Sequence, residues 1–252
     1  MLEVDQIYNM EAIEGLKLLP DESIDMILCD LPYGVTRNSW DSPIDMIELW
    51  QQYKRVIKER GAIIIFGVGI FTAEMILMGR DLYRYNLVYE KTNATGFLNA
   101  NRQPLRAHED IMIFYKKQPP YNPQKTDGHP PTHQRTRKNT GTNYGDTGAA
   151  AGGGNTDRHP TSVLRFKSDK QKIAIHPNQK PVALLRWLIR SYTDKGAVVL
   201  DNACGSGSTC KAAQIEARHW IGFDNGFCET KGSAYYGQPW AEIAAERMKG
   251  AR

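Results

Sequence analysis

Strand-sized segments of continuously apolar residues constrain the fold of this chain most. Residues 23–29 begin with alternating apolar and polar positions and become continuously apolar, and residues 62–66 are apolar throughout. Strands of this kind are typical of a sheet that is covered on both faces. Residues 45–59 lie between them, repeat apolar side chains about every 3.6 positions and are followed by Gly61, which predicts a helix that stops there.

The same alternation continues through most of the chain. Further strands are predicted at residues 87–89, 111–115, 197–200 and 220–223. Further helices are predicted at residues 181–189, 207–217 and 240–249, the first with Pro181 at its start. Strands that alternate with helices predict an α/β protein with a doubly wound, mainly parallel sheet.

Periodicity disappears between residues 116 and 175, where Pro, Gly, Thr, Asn and basic residues dominate. Residues 116–172 hold eleven Lys or Arg and four Asp, a net charge of +7 in a chain whose total is +4. Such a concentration is expected of a surface that neutralises nucleic-acid phosphates, although a solvated basic loop has the same composition. We therefore predict three parts, namely residues 1–115, an inserted lobe at 116–175, and residues 176–252.

Neither a metal site nor a membrane span is predicted. The four cysteines, Cys29, Cys204, Cys210 and Cys228, form no CxxC pair and have no zinc-like spacing to histidine. The longest apolar stretches are strand-sized, and the N-terminal residues are acidic where a secretory signal would be basic. We expect a cytoplasmic protein in a reducing compartment.

Residues 198–208 combine a strand, an acidic residue, a glycine-punctuated turn and a helix start. Gly205 and Gly207 would let the backbone approach a ligand closely at the carboxyl end of the strand, beside Asp201. Asp224 ends the following strand, where a carboxylate can accept both hydroxyl groups of a ribose. The turn lacks the GK[ST] of a phosphate-binding loop, and its dinucleotide fingerprint is incomplete. It suits a nucleoside cofactor with a charged amino-acid tail and no phosphate, unless it is a plain tight turn.

A second turn, Asp30-Leu31-Pro32-Tyr33-Gly34, directly follows the strand that ends at Cys29. It places an acceptor carboxylate, a rigid proline and an aromatic ring at the carboxyl end of a strand, where open α/β sheets hold their reactive groups. This position favours a chemical role over the alternative, a structural turn whose tyrosine packs nearby.

These two turns resemble motifs of one enzyme family. Asp30-Leu31-Pro32-Tyr33 resembles the (D/N/S)PPY motif of DNA amino-methyltransferases, and residues 201–208 resemble their DPFxGSGT motif. Residues 176–181, HPNQKP, are similar to the HPTQKP motif of one branch. The catalytic motif precedes the cofactor motif, which is the permuted order of the β class. The likeness covers nearly the whole chain and leaves the middle lobe unaligned.

The resemblance implies the Rossmann-like fold of S-adenosylmethionine-dependent methyltransferases. It also implies transfer of a methyl group to the N6 amine of adenine in duplex DNA, with the target base flipped out. The catalytic residues that it implies are Asp30, Leu31, Pro32 and Tyr33. The cofactor-binding residues are Asp201, Ala203, Gly205, Gly207, Asp224, Gln179 and Lys180. Target recognition falls to the inserted lobe, where we assign phosphate contacts to Arg135, Arg137 and Lys138.

Several positions depart from the family pattern. Leu31 replaces a proline, Asn202 and Ala203 replace Pro and Phe, and Asp224 stands where Glu is commoner. A backbone carbonyl at Leu31 would serve as well as one at proline, whereas Ala203 would loosen the packing around the cofactor.

Three alternatives stay open. They are N4 methylation of cytosine, methylation of RNA or protein, and an inactive DNA-binding protein that keeps the fold. Asp at the first catalytic position favours adenine within the family, where Ser is commoner for cytosine. The resemblance also suggests a homodimer and a bacterial or phage-infected cell as the setting, with or without a companion restriction nuclease.

Overall fold

The computed structural model describes residues 2–32, 44–137, 150–169, 179–230 and 232–250. The chain divides into two compact units, one formed by Met1–Asn122 with Ser162–Arg252 and the other by Pro123–Thr161. The smaller unit lies within the predicted lobe of residues 116–175 and contains two short antiparallel strands, β6 (Arg135–Arg137) and β7 (Ala150–Gly152).

The larger unit contains an eight-stranded sheet. Its strands, numbered along the chain, are β1 (Gln6–Tyr8), β2 (Ile24–Cys29), β3 (Ile57–Gly67), β4 (Tyr83–Thr95), β5 (Arg106–Phe114), β8 (Val163–Phe166), β9 (Val198–Asp201) and β10 (His219–Phe223). The helices are α1 (Ala12–Lys17), α2 (Met46–Val56), α3 (Ile70–Met78), α4 (Val182–Tyr192), α5 (Ser208–Ile215) and α6 (Trp240–Lys249).

The strand order is β1-β10-β9-β2-β3-β5-β4-β8. β5 is antiparallel to both of its neighbours, and the other pairs are parallel, so the prediction of a mainly parallel sheet is confirmed. From β9 the chain crosses through α5 to β10 on one side, whereas from β2 it crosses through α2 to β3 on the other side. β2 and β9 therefore flank a topological switch point, where open α/β sheets bind their ligands.

Helices cover both faces of the sheet, as the apolar strands predict. On one face, Leu16 of α1, Tyr53 of α2 and Met75 of α3 share a core with Ile27 and Ile65. The other face buries the alternate strand residues against α4 and α5, among them Met26, Ile64, Leu188 and Ala213. Successive strand side chains point to opposite faces, so each central strand contributes to both cores.

The helix predicted at residues 45–59 begins as expected but its predicted end is wrong. Asp45 caps α2 by accepting the N–H groups of Ile47 and Glu48, and α2 ends at Val56. The chain enters β3 directly at Ile57, so the predicted stop signal, Gly61, lies inside a strand. A Cβ atom at Gly61 would lie 2.9 Å from the carbonyl oxygen of Asp25, so close packing is the reason for this glycine.

The described residues include no helix long and apolar enough to cross a membrane. Cys29, Cys204, Cys210 and Cys228 are all buried, and no disulfide joins them in the part of the chain that the structure describes.

Candidate active site

Two loops meet at the carboxyl edge of the sheet. Met26 lies opposite Val199 and Ile27 opposite Leu200 in the parallel pairing of β2 with β9. This register brings the turn that follows Cys29 beside the turn that follows Asp201. The two turns that sequence motifs single out are therefore neighbours across one strand pair, although Asp30 and Asp201 are 171 positions apart in the chain.

The first turn is anchored by its second residue. Leu31 is buried and packs in the core beneath the sheet edge, while Pro32 is half-buried. The Leu31 side chain points into the protein, so only its backbone is free to act on a ligand. Tyr33 lies outside the described residues, and its predicted role stays a prediction.

Asp30 is paired with a buried lysine. Its carboxylate accepts a hydrogen bond from the ammonium group of Lys180, which also lies 3.3 Å from Glu109 Oε2 and 5.0 Å from the centre of the Phe66 ring. Burial lowers the pKa of Lys180, but Asp30 and Glu109 outweigh it, so the pKa is raised. Lys180 was predicted to bind a cofactor, and the structure places its charge against the predicted catalytic carboxylate.

Glu109 of β5 is a site residue that the sequence analysis missed. Its Oε1 atom lies 2.5 Å from the ammonium group of Lys91 on β4. Burial raises the pKa of Glu109, but the two lysines together hold the pKa below its usual value. The result is a continuous chain of alternating charges, Asp30, Lys180, Glu109 and Lys91. The only sequence signal for Glu109 is an acidic residue that precedes an apolar strand segment.

The glycine loop, defined here as residues 201–208, is held by Asp224 at the end of β10. The Gly205 N–H donates to Asp224 Oδ2 and the Gly226 N–H donates to Oδ1, both over 2.8 Å. Burial raises the pKa of Asp224, and these two hydrogen bonds oppose that shift. Gly205 has φ +47°, a left-handed conformation that favours glycine. Asp224 therefore shapes the loop, and its remaining lone pairs stay available to a ligand.

Helix α6 holds the other side of the same loop. Gly207 has φ +73°, and a Cβ atom there would lie 2.9 Å from the Cβ atom of Ala244 in α6. The Arg247 guanidinium of α6 donates to the carbonyl oxygen of Ser206 over 2.9 Å and to the Ser208 hydroxyl over 3.1 Å. Gly207 was expected to permit close approach of a ligand, and the structure shows close approach of a helix.

The carboxyl group of Asp201 is buried beneath the loop. It accepts the N–H of Ala203 over 3.2 Å. Burial raises the pKa of Asp201 to about 7, against the opposing effect of a hydrogen bond from Thr209. Ala203 is partly buried and packs against the core under α1–α3, so its small side chain is in contact with the protein interior.

A buried tyrosine joins the ends of the two central strands. The Tyr53 hydroxyl of α2 donates to Asn202 Oδ1 over 2.7 Å and lies 3.3 Å from the thiol of Cys29. Tyr53 and Asn202 are both almost fully buried. The helical pattern predicts that Tyr53 faces the core, but contacts across 149 residues leave no local signal in the sequence.

Two buried amides at the site have unused hydrogen-bonding capacity. Among the described residues, Gln179 Oε1 and Nε2 have no hydrogen-bond partner, and neither has Asn202 Nδ2. Unpaired buried polar atoms cost free energy, so native proteins retain them where a ligand or water completes the site.

A model of the DNA methylase family N6_N4_Mtase matches residues 24–227, which is more than half of the chain. This protein belongs to the N6_N4 DNA methylase family. The match includes both turns of the site and the inserted lobe.

The curated relatives of this family member are longer proteins. Type II methyltransferase M.BamHI of Bacillus amyloliquefaciens is 26% identical over 251 residues, which cover 90% of this chain and 56% of that protein. Type II methyltransferase M.HinfI of Haemophilus influenzae is 28% identical over 258 residues, which cover 88% of this chain and 65% of that protein. The chain thus spans less than two thirds of the length of these relatives.

Solved structures share the fold. The structure of the M1.HpyAVI–SAM complex has a TM-score of 0.63 and 21% identity, and the match covers 96% of this chain and 98% of that chain. The PvuII DNA methyltransferase, described as cytosine-N4-specific, has a TM-score of 0.62 and 15% identity, with 98% and 93% of the two chains covered. These likenesses confirm the predicted α/β methyltransferase fold.

Two of the residues predicted to contact DNA phosphates are described, and both lie in the smaller unit of the chain. Arg135 and Arg137 are the ends of β6, and Lys138 lies outside the described residues. Arg158 of the same unit has a structural role. Its guanidinium donates hydrogen bonds to the backbone carbonyl oxygens of Asn155 and Asp157 over 2.9 and 2.8 Å. The predicted phosphate contacts of β6 stay a prediction.

Proposed function

We propose that this chain transfers a methyl group from S-adenosylmethionine to the exocyclic N6 amine of adenine in DNA. The observation that carries the proposal is the pairing of β2 with β9 in a member of the N6_N4 DNA methylase family. It brings an acceptor carboxylate, Asp30, beside a glycine loop at a switch point, where a cofactor and a base can meet.

The residues of the loop and of the segment before α4 fit the proposed cofactor. Gln179 and Asn202 present buried polar atoms that lack a partner among the described residues, and Asp224 retains acceptor capacity toward ribose hydroxyls. Asp201, Ala203, Gly205 and Gly207 form the floor and turn of the same site. When bound, S-adenosylmethionine supplies an electrophilic methyl group on a sulfonium.

The chemical task of the first turn is to make an amine nucleophilic. The lone pair of an exocyclic amine is delocalised into the base, and inside a duplex the amine is unreachable, so the base must be flipped out at a cost of a few kcal/mol. The Asp30 carboxylate and the Leu31 carbonyl accept the two amine hydrogens, which turns the nitrogen toward tetrahedral geometry. Tyr33 stacks on the base. Positioning and the exclusion of water provide most of the acceleration.

Lys180 and the amine can share Asp30. An ionised carboxylate offers about four lone-pair sites, so the hydrogen bond from Lys180 leaves acceptor positions for a base. Glu109 balances the charge of Lys180 from the other side, which keeps the ammonium group in place while Asp30 engages the amine. Lys180 is therefore placed to orient the Asp30 carboxylate.

Incubation of the protein with unmethylated duplex DNA and S-adenosylmethionine, followed by mass spectrometry of the nucleosides, tests the proposal. N6-methyladenine is the expected product. Detection of N4-methylcytosine instead would identify cytosine as the target base. Unmodified DNA, together with methylation of RNA or protein in parallel incubations, would refute the proposed substrate. A homodimer, a companion nuclease and a cytoplasmic setting stay predictions from the resemblance.

A further inference from the structure

The hairpin of β4 and β5 extends beyond the core as an arm, defined here as residues 92–108, with Lys91 and Glu109 at its base. The last core residue on β4 is Tyr89 and the first on β5 is Ile111, and no side chain between residues 91 and 109 is buried. The tip turns at Gly96, which has φ +94°, into a short 3-10 helix, Phe97–Asn99. Phe97 is 71% exposed and Leu98 is fully exposed, so two large apolar side chains stand next to each other in water.

The charge of the arm fits a polyanion. Residues 92–108 include Arg102 and Arg106 and contain no Asp or Glu. Both arginines are exposed. An apolar tip on a basic arm is the composition of elements that enter the base stack of DNA while contacting its phosphates, because both the apolar and the charged surface then gain a partner.

The arm leaves the sheet at the edge that carries the candidate active site. β3 and β4 are both antiparallel to β5, so β4 is parallel to β3 and ends at the same edge as β2 and β9. The base of the arm also contacts the site directly, since Lys91 and Glu109 belong to the chain of charges that reaches Asp30 through Lys180. β4 continues for four residues beyond Lys91, to Thr95, and these span roughly 13 Å before the chain turns at Gly96.

We infer that Phe97 and Leu98 form a wedge that enters the base stack of duplex DNA where the target base has left it. This inference rests on the proposed function. Flipping a base leaves neighbouring base pairs without a stacking partner, and an apolar side chain that fills the gap recovers part of that loss. The length of the arm suits this task, because the flipped base is held near Asp30 while the gap remains in the duplex.

The test compares a double variant, Phe97→Ser with Leu98→Ser, with the matched control Leu77→Ser. Leu77 is 69% exposed and lies near the end of α3, which runs back toward the opposite edge of the sheet. The substrates are a short duplex with the site that the wild-type protein methylates, and the same duplex with a mispaired base opposite the target. Mispairing lowers the cost of flipping, so a wedge matters less there.

The double variant should methylate the paired duplex about tenfold more slowly than wild type in single turnovers, and the mispaired duplex at nearly the wild-type rate. The control should match wild type on both. Equal loss on both duplexes, or no loss, would overturn the wedge while the proposed function stands. If the double variant changes its oligomeric state in light scattering and does not discriminate between the duplexes, the wedge is overturned and the tip is a contact surface for a second copy of the chain. Failure of the wild-type protein on all DNA would instead overturn the proposed function and the wedge with it.

Discussion

At the scale of residues, the candidate site depends on how charges are balanced away from water. Lys180 lies between Asp30 and Glu109, and Glu109 lies between Lys180 and Lys91. Burying an ion is costly unless a partner of opposite charge stays in contact, so each member of this chain depends on the next. Glu109 contacts both lysines of the chain, so its removal takes a partner from two ammonium groups at once.

Glu109→Gln should lower the free energy of unfolding by about 3 kcal/mol, because it leaves two partly buried ammonium groups short of a carboxylate. Glu90→Gln on the neighbouring strand is the matched control. Glu90 is 41% exposed and lies 3.7 Å from Arg165, so its loss should cost less than about 0.5 kcal/mol. Urea denaturation of both variants measures the difference, and equal stabilities would show that the charge chain contributes nothing.

Asp201 should make stability depend on pH. Burial raises its pKa to about 7, whereas an Asp in the unfolded chain titrates near about 3.9. Between these values the folded protein retains a proton that the unfolded chain has released. The stabilisation that protonated Asp201 gives to the folded state is therefore complete below about pH 4 and is lost as pH rises to about 7.

Asp201→Asn removes this titration. The stability of wild type relative to the variant should fall by roughly 4 kcal/mol between about pH 4 and pH 7 and then level off. Urea denaturation of both proteins across that range measures it. Parallel stability curves would show that Asp201 titrates normally in the folded protein.

At the scale of elements, the site depends on how the ends of β2 and β9 are joined. Tyr53→Phe removes the donor to Asn202 Oδ1 and leaves that buried oxygen unpaired, which should cost about 1–3 kcal/mol of stability. It should also weaken S-adenosylmethionine binding in calorimetry, since Asn202 lies in the glycine loop. In the control Tyr115→Phe, the lost hydrogen bond, to Gln118, is exposed, and both quantities should stay near wild type. Unchanged cofactor affinity in Tyr53→Phe would show that the hydroxyl acts on stability alone.

The central elements could be predicted from the sequence because their signals are local. The apolar runs of β2, β3 and β9 and the period of α2 and α4 identify them without any knowledge of the fold. The edge strands β1 and β8 were missed because they are short and only partly buried. Contacts between distant residues were missed as well. Glu109 and Lys180 are 71 residues apart, and the local sequence around either residue does not predict their contact.

At the scale of the whole molecule, the excess of positive charge in residues 116–172 should govern affinity for DNA. Replacing Arg135, Arg137 and Lys138 together by Ala should reduce the slope of log affinity against log salt by about 0.9 per lost phosphate contact, up to about 3. Fluorescence anisotropy with labelled duplex at several salt concentrations measures the slope. Lys54→Ala, in an ion pair with Asp81 in the larger unit, is the control and should leave the slope unchanged. An unchanged slope in the triple variant would exclude these residues as phosphate contacts.

In the proposed mechanism, the turn after β2 performs the transfer while the turn after β9 holds the cofactor. The most direct measurement is a comparison of Asp30→Ala with wild type, in which single-turnover methylation and S-adenosylmethionine affinity are determined on the same preparations. We expect the rate to fall by at least about a hundredfold while the cofactor still binds. A variant that transfers methyl groups at the wild-type rate would contradict the assignment of Asp30. A variant that loses cofactor binding as well would contradict the assignment of methyl transfer to the first turn and of cofactor binding to the second.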